Sequence, residues 1–213
     1  MDKAEAWDKA HADTIKLGSL EWAIVNDVGA PGAFDDAVKG VTVVVHTASP
    51  FSSEMKDPEE DLLKPAVRGT TNMLEAAATC DSVKHMVLTS SFAACFDYSK
   101  LPAVGETYTH ESWNPATYDQ AKRSDDVYFV YCASKALAEK AAWDFVEREK
   151  PRFTLTTVCP PMIIGPPEQV ITSFSRLNES VKEVWGVLDK PDVPPTAFPV
   201  RHSPHLITRS LIS

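Results

Sequence analysis

Val41-Thr42-Val43-Val44-Val45-His46-Thr47 is a nearly unbroken run of β-branched residues, and it restricts the fold more than any other segment of the chain. Branched side chains crowd a helical backbone but pack well on a pleated surface. A run without polar alternation suits a parallel strand buried on both faces, and parallel neighbours need crossover connections, usually helical. The rest of the chain supplies them. Asp2 to about Leu17 reads as a charged, Ala-rich helix, Trp22 to Val25 as a short strand and Phe34 to Val38 as a brief helix. Pro58 to about Ala78 reads as a long helix with Leu62, Leu63, Val67, Met73, Leu74 and Ala77 on its apolar side. Lys84 to Ser90 is the next strand, Tyr131 to Glu149 the next helix and Phe153 to Cys159 the strand after it. This alternation predicts an α/β fold with a doubly wound parallel sheet, whose ligands bind beyond the carboxyl ends of the strands.

With 213 residues, 44% hydrophobic and 24% charged, the chain is long enough for one core and ordinary for a globular domain. A net charge of -9 without a basic run argues against a nucleic-acid surface. Cys80, Cys95, Cys132 and Cys159 are scattered, with no paired spacing for zinc or for a redox pair, so they read as buried thiols of a reducing compartment. No metal site is expected. No apolar run approaches the roughly 20 residues of a membrane span, and the start, Met1-Asp2-Lys3-Ala4-Glu5-Ala6-Trp7, is polar and helix-prone. A cytoplasmic location is the expectation.

Chemistry enters with Tyr131 and Lys135, on an apolar helix that follows a strand ending in Thr89-Ser90-Ser91. Residues spaced by one helical turn share a face, so the Lys135 ammonium is expected to stabilise the Tyr131 phenolate and lower its pKa. That would make Tyr131 a proton donor to a carbonyl oxygen near neutral pH, with a strand-end serine holding the same oxygen. Tyr118 and Lys122 repeat the spacing, but Asn114-Pro115-Ala116-Thr117 before them and Arg123-Ser124-Asp125-Asp126 after them read as loop. His46, on the apolar strand, reads as a satisfied core histidine in preference to a catalyst.

Six segments occur in a telling order: Asn26-Asp27-Val28, His46-Thr47-Ala48-Ser49-Pro50, Pro65-Ala66-Val67-Arg68-Gly69-Thr70, Val87-Leu88-Thr89-Ser90-Ser91, the Tyr131 to Lys135 motif, and Cys159-Pro160-Pro161-Met162-Ile163-Ile164-Gly165-Pro166. In these the chain resembles the extended short-chain dehydrogenase/reductases of the NAD-dependent epimerase/dehydratase superfamily. The group is that of dihydroflavonol reductases, cinnamoyl-CoA reductases and fungal ketone-aldehyde reductases. The resemblance implies a Rossmann-like domain, NADP as cofactor with NAD as the alternative, and a small-molecule carbonyl or alcohol as substrate. It implies Ser91, Tyr131 and Lys135 as the catalytic set. For the cofactor it implies Asp27 and Val28 beside the adenine, Ala48 in the groove, Tyr131 and Lys135 at the nicotinamide ribose, Pro160 and Pro161 at the nicotinamide, and Ser180 as a further contact. On the residues alone, Asp27 can equally begin a turn, Ser90 and Ser91 can simply end a strand, and the prolines can be loop punctuation.

The family also begins with a strand, a Gly-x-x-Gly-x-x-Gly turn whose backbone receives the pyrophosphate, a helix and a second strand. No three of the eight glycines here have that spacing. The expectation is therefore a single incomplete NAD(P)-binding domain over 1–213. It would lack the first strand-helix-strand unit and most of the C-terminal substrate lobe, with about 167–213 as the start of that lobe. Both ends read as cut, from a truncated gene product or a mispredicted gene model. Three functional readings stay open: an NADP-dependent aldehyde or ketone reductase or a fragment of one, a nucleotide-sugar epimerase or dehydratase, and an inactive scaffold that binds no cofactor. Loss of two central strands would also leave sheet edges unpaired, or force new pairings, and would make the chain poorly soluble.

Overall fold

The computed structural model describes residues 3–13, 20–51, 54–101, 103, 105–163, 177, 181–182, 185–186 and 207–210. Contacts divide the chain into two units, 1–24 with 162–201 and 25–161 with 202–213. In the first unit, helix α1 (Lys3–Ala10) stacks Trp7 on His11 with ring centroids 3.9 Å apart, and Trp22 donates its indole N–H to Asp8 at 2.8 Å.

The second unit holds a four-stranded sheet in the order β1 (Val43–His46), β2 (His85–Thr89), β3 (Thr154–Cys159), β4 (Ile207–Ser210). The first three strands are parallel, with Val44 opposite Met86 and Met86 opposite Leu155, whereas β4 runs antiparallel to β3 with Arg209 opposite Thr157. Two crossover helices, α2 (Lys64–Thr79) and α4 (Val127–Glu149), cover one face. There Val44, Met86, Leu88 and Leu155 meet Met73 and Leu74 from α2 and Ala142 and Phe145 from α4. Fully buried alanines at 133, 136 and 142 let α4 lie close to its neighbours.

Four local expectations change. Trp22–Val25 forms no strand, because no strand among the described residues lies beside it to share a ladder. Residues 31–40 form successive turns in place of a helix, with Asp35 N–H on Gly32 C=O and Val38 N–H on Phe34 C=O. β1 is an edge strand and is buried on one face only: Val44 and His46 point inward, while Val43 and Val45 are 50% and 61% exposed. Tyr118 sits on a short helix, α3 (Tyr118–Lys122), closed by a capping box between Thr117 and Gln120, a signal that the polar flanks concealed.

Two helix boundaries also have clear causes. Asp126 accepts from the N–H groups of Tyr128 and Phe129, so α4 starts four residues before Tyr131. Upstream of α2 the chain makes a wide π-type turn over Glu59–Leu63. It lies just before Pro65, whose ring lacks the N–H that a continuous α-ladder would require.

Candidate functional site

The carboxyl ends of β2 and β3 and the second and third turns of α4 bring the predicted catalytic set together. After β2 the chain keeps its pairing with β3 by two further bonds, Ser90 N–H to Val158 C=O at 2.8 Å and Phe92 N–H to Pro160 C=O at 2.9 Å. Ser91 is thereby held extended, and its hydroxyl accepts from Ala93 N–H at 3.1 Å at the start of a 3₁₀ turn over Phe92–Ala94. Tyr131 faces this serine, and the ring of Phe51 meets it edge-on with centroids 4.8 Å apart. Burial pushes the Tyr131 phenol above its ordinary pKa, and a hydrogen bond with the Ser91 side chain opposes that rise.

Lys135 does not lower the phenol as the spacing suggested. Its ammonium donates to Thr89 C=O at 3.2 Å and is itself buried. Burial lowers its pKa to about 8 against the pull of Glu139 and Cys159. The i to i+4 spacing puts both groups on one face, but the strand-end carbonyl captures the ammonium first. Tyr118 is engaged elsewhere: its hydroxyl donates to Glu59 at 3.0 Å, and Lys122 pairs with the same carboxylate at 2.6 Å.

A small cavity of about 10 Å³ lies beside Lys135, lined by Ala48, Ser49, Thr70, Leu88, Thr89, Ser90, Ala138 and Glu139. Ala48 thus lines this cavity. Asp27 forms the turn that its bland reading foresaw, its carboxylate accepting from Gly29 N–H at 2.8 Å. Val28 is pinned to α2, where Asn72 donates to its C=O at 2.9 Å and to that of Ala30 at 3.0 Å. A Cβ at Gly69 would come within 3.3 Å of the Val28 side chain, so a larger residue there would push Val28 by a few tenths of an ångström. Gly69 adjoins Thr70, which connects the Asp27–Val28 turn through α2 to the cavity at Ala48 and Lys135. Pro160 anchors Phe92 through its carbonyl, with Pro161 next along the chain and half-buried. Ser180 lies outside the described residues.

Two features were not read correctly from the sequence. His46 is buried, but it is not satisfied: its Nε2 has no hydrogen-bond partner among the described residues. Burial first, and the nearby Lys135 charge second, lower its pKa to about 4. Glu139, fully buried in α4, is the hub of a polar network. It accepts from Ser90 Oγ at 2.5 Å, from Thr157 Oγ1 at 2.7 Å, and from the Arg209 guanidinium. These partners hold its carboxyl below the usual range although burial alone would raise it. A charged residue on the apolar face of α4, one turn after Lys135, was the available signal for Glu139; nothing comparable marked Arg209.

Ser91, Tyr131 and Lys135 offer the hydroxyls and the ammonium that the reactive end of a nicotinamide cofactor would need, whereas the cavity beside Lys135, at about 10 Å³, has room for no more than one water. The cofactor's pyrophosphate is not matched, because no glycine-rich cradle of backbone N–H groups occurs in the sequence. Among the described residues no helix is long and apolar enough to cross a membrane.

Residues 2–189 match the model of the 3-beta hydroxysteroid dehydrogenase/isomerase family. The chain is 43% identical over 174 residues to the NADPH-dependent methylglyoxal reductase of Saccharomyces cerevisiae, covering 78% of this chain and 49% of that protein. It is 37% identical over 166 residues to a cinnamoyl-CoA reductase of Medicago truncatula, covering 78% of this chain and 47% of the other. In three dimensions it resembles Gre2 of Candida albicans in complex with NADPH, with a TM-score of 0.74 at 33% identity over 88% of this chain and 56% of that one. The chain spans about half the length of the curated relatives it matches.

Proposed function

This chain belongs to the 3-beta hydroxysteroid dehydrogenase/isomerase family, and from that premise we propose that it carries the reactive half of an NADPH-dependent reductase of small aldehydes or ketones. The observation that carries the reading is the convergence of Tyr131, Ser91 and Lys135 on the ends of β2 and β3. When bound, the nicotinamide supplies a hydride to the carbonyl carbon. The chain's own groups do the rest. Tyr131 donates its phenolic proton to the carbonyl oxygen, Ser91 fixes that oxygen, and Lys135 offers a cation to the ribose and to the charge that develops on the phenol.

Burial suits this division of labour. A phenol held above its ordinary pKa keeps its proton until an oxyanion forms beside it, and a lysine eased toward neutrality loses less hydration when a substrate closes over it. Ala48, Pro160 and Pro161 would border the cofactor, with Asp27 and Val28 at its far end. Ser180 is retained as a further cofactor contact on resemblance alone.

The test uses the chain extended at its N-terminus by a glycine-rich strand-helix-strand unit, with NADPH and methylglyoxal. Tyr131→Phe is expected to lower the rate of NADPH oxidation by roughly 10²–10⁴-fold, the usual worth of a positioned general acid, while cofactor affinity stays within about a factor of two. Equal losses for Tyr131→Phe and Tyr118→Phe would overturn the assignment.

A further inference from the structure

We propose that Cys95 and Cys159 form a modification site, a buried dithiol that a hydroperoxide converts to a disulfide across the base of the candidate site. The two sulfurs come from the places that frame it: Cys95 closes the 3₁₀ turn that Ser91 begins, and Cys159 is the last residue of β3, just before Pro160. Phe92 N–H on Pro160 C=O brings these segments side by side. One guanidinium touches both sulfurs, with Arg209 Nη2 at 3.4 Å from Cys95 and Nη1 at 3.5 Å from Cys159, and the two thiols hydrogen-bond each other.

The pair is asymmetric. The hydrogen bond from Cys159 and the charge of Arg209 favour the Cys95 thiolate against its burial, whereas the same bond, burial and the nearby Glu139 hold Cys159 protonated. Cys159 also donates to the Glu139 carboxylate at 3.5 Å and so keeps its proton, which leaves Cys95 as the attacking sulfur and Cys159 as the resolving one. The Cys95 sulfur attacks one peroxide oxygen; an S–O bond forms, the O–O bond breaks, and the other oxygen leaves with the Cys95 proton as water or an alcohol. Cys159 then attacks the sulfenic sulfur. An S–S bond forms, the S–O bond breaks, and hydroxide departs with the Cys159 proton as water. The two thiols give up two electrons and the hydroperoxide accepts them.

Both sulfurs are 2% exposed or less, so the oxidant must wait for an opening. β4 provides one. It is four residues long and, among the described residues, it lies at the sheet edge and pairs with β3 alone. Short edge elements open at the low end of a protein's stability range, and fraying of β4 from Ile207, the residue opposite Cys159, would uncover the pair while Arg209 stays on Glu139. Cys132 has no such arrangement: it is fully buried in α4, and burial pushes its thiol up to about 12. Cys80 is partly exposed and is lowered chiefly by its hydrogen bond with Ser82, which makes it an internal monitor of oxidant dose.

The experiment needs no cofactor and does not depend on the proposed activity. The purified 213-residue chain is treated with hydrogen peroxide in native buffer and, separately, in urea; free thiols are then alkylated, and intact mass and peptide maps are recorded. The expected result is a loss of about 2 Da, reversed by dithiothreitol, with the Cys95–Cys159 crosslinked peptide as the dominant linkage in native buffer, where the fold holds the two sulfurs together, and a mixture of linkages among the four cysteines in urea. A Cys80→Ser chain is expected to give the same crosslink, since Cys80 takes no part. Oxygen adducts on Cys95 or Cys159 without linkage, crosslinks through Cys80 or Cys132 in similar yield in native buffer, the same mixture of linkages in native buffer as in urea, or free Cys95 and Cys159 after Cys80 is fully oxidised would each overturn the proposal.

Discussion

The Arg209 guanidinium, carried by the antiparallel edge strand, is bound to the Glu139 carboxylate at the centre of α4, with side chains 7% and 0% exposed. The same guanidinium donates to His110 C=O at 2.7 Å and to Ser112 C=O at 2.5 Å and lies 3.9 Å from the ring centroid of Trp113. One residue therefore fastens a helix, a strand and the 110–113 segment.

Arg209→Met should be strongly destabilising. Removing one partner of a buried pair leaves the other charge uncompensated, at a typical cost of about 3–5 kcal/mol. The double change Arg209→Met with Glu139→Gln should recover part of that loss, since no orphaned charge remains. Urea unfolding of Arg209→Met, Glu139→Gln and the double variant checks it, and strictly additive losses would contradict the pairing.

His46 predicts an acid limb. Its pKa is lowered to about 4 in the fold, against an ordinary value of 6.5. The unfolded chain therefore binds more protons between those values, and stability is complete above pH 6.5 and falls as the pH drops through 4. The full loss is about 3 kcal/mol. His46→Leu should flatten this window, while the limb below pH 4.5, to which the lowered Glu139 carboxyl contributes, should persist. Thermal melts between pH 4 and 7 on both chains decide it.

Lys135 predicts the opposite end of the profile. With its pKa lowered to about 8 from 10.5, its contribution is complete above pH 10.5 and is lost as the pH falls through 8, a span of about 3 kcal/mol. Tyr98, raised to about 12 chiefly by burial, loses its contribution as the pH rises past its ordinary value and so works against this gain. The difference between the native chain and Lys135→Met isolates the lysine, and it should grow from pH 8 to 10.

NADPH titration of the 213-residue chain should show no saturable binding in the micromolar range. The reactive end of the cofactor has its residues, but a pyrophosphate needs clustered backbone N–H groups, and a chain of net charge -9 without the glycine spacing offers no substitute. Calorimetry giving a micromolar Kd would show another phosphate cradle in the chain.

Much of the parallel framework was legible because its signals are local. Val43–His46, His85–Thr89 and Thr154–Cys159 are short runs rich in branched residues between helical stretches, and all three are strands. What escaped depends on neighbours distant in sequence. Trp22–Val25 has the composition of a strand without a ladder to join, and Ile207–Ser210 has a ladder at β3 without much composition to announce it. The site follows the same division. That Tyr131 and a strand-end serine lie together is legible in spacing and strand position, but the capture of the Lys135 ammonium by Thr89 C=O and the Glu139 hub require knowing which strand ends lie under the helix. A buried carboxylate is paired by residues 49, 18 and 70 positions away, and no window along the chain spans them.

β1 gives this chain a direction in which to grow. One flank of the strand pairs with β2, the other has no partner strand among the described residues, and Val43 and Val45 lie open on its uncovered face. Such a flank can take an extended segment from a second molecule, and two copies can also pair flank to flank, antiparallel about a two-fold axis, which closes as a dimer. Concentration, more than temperature, would then set the working lifetime of a solution of this protein, and a charge placed at Val45 would lengthen it without touching the site on the strand ends.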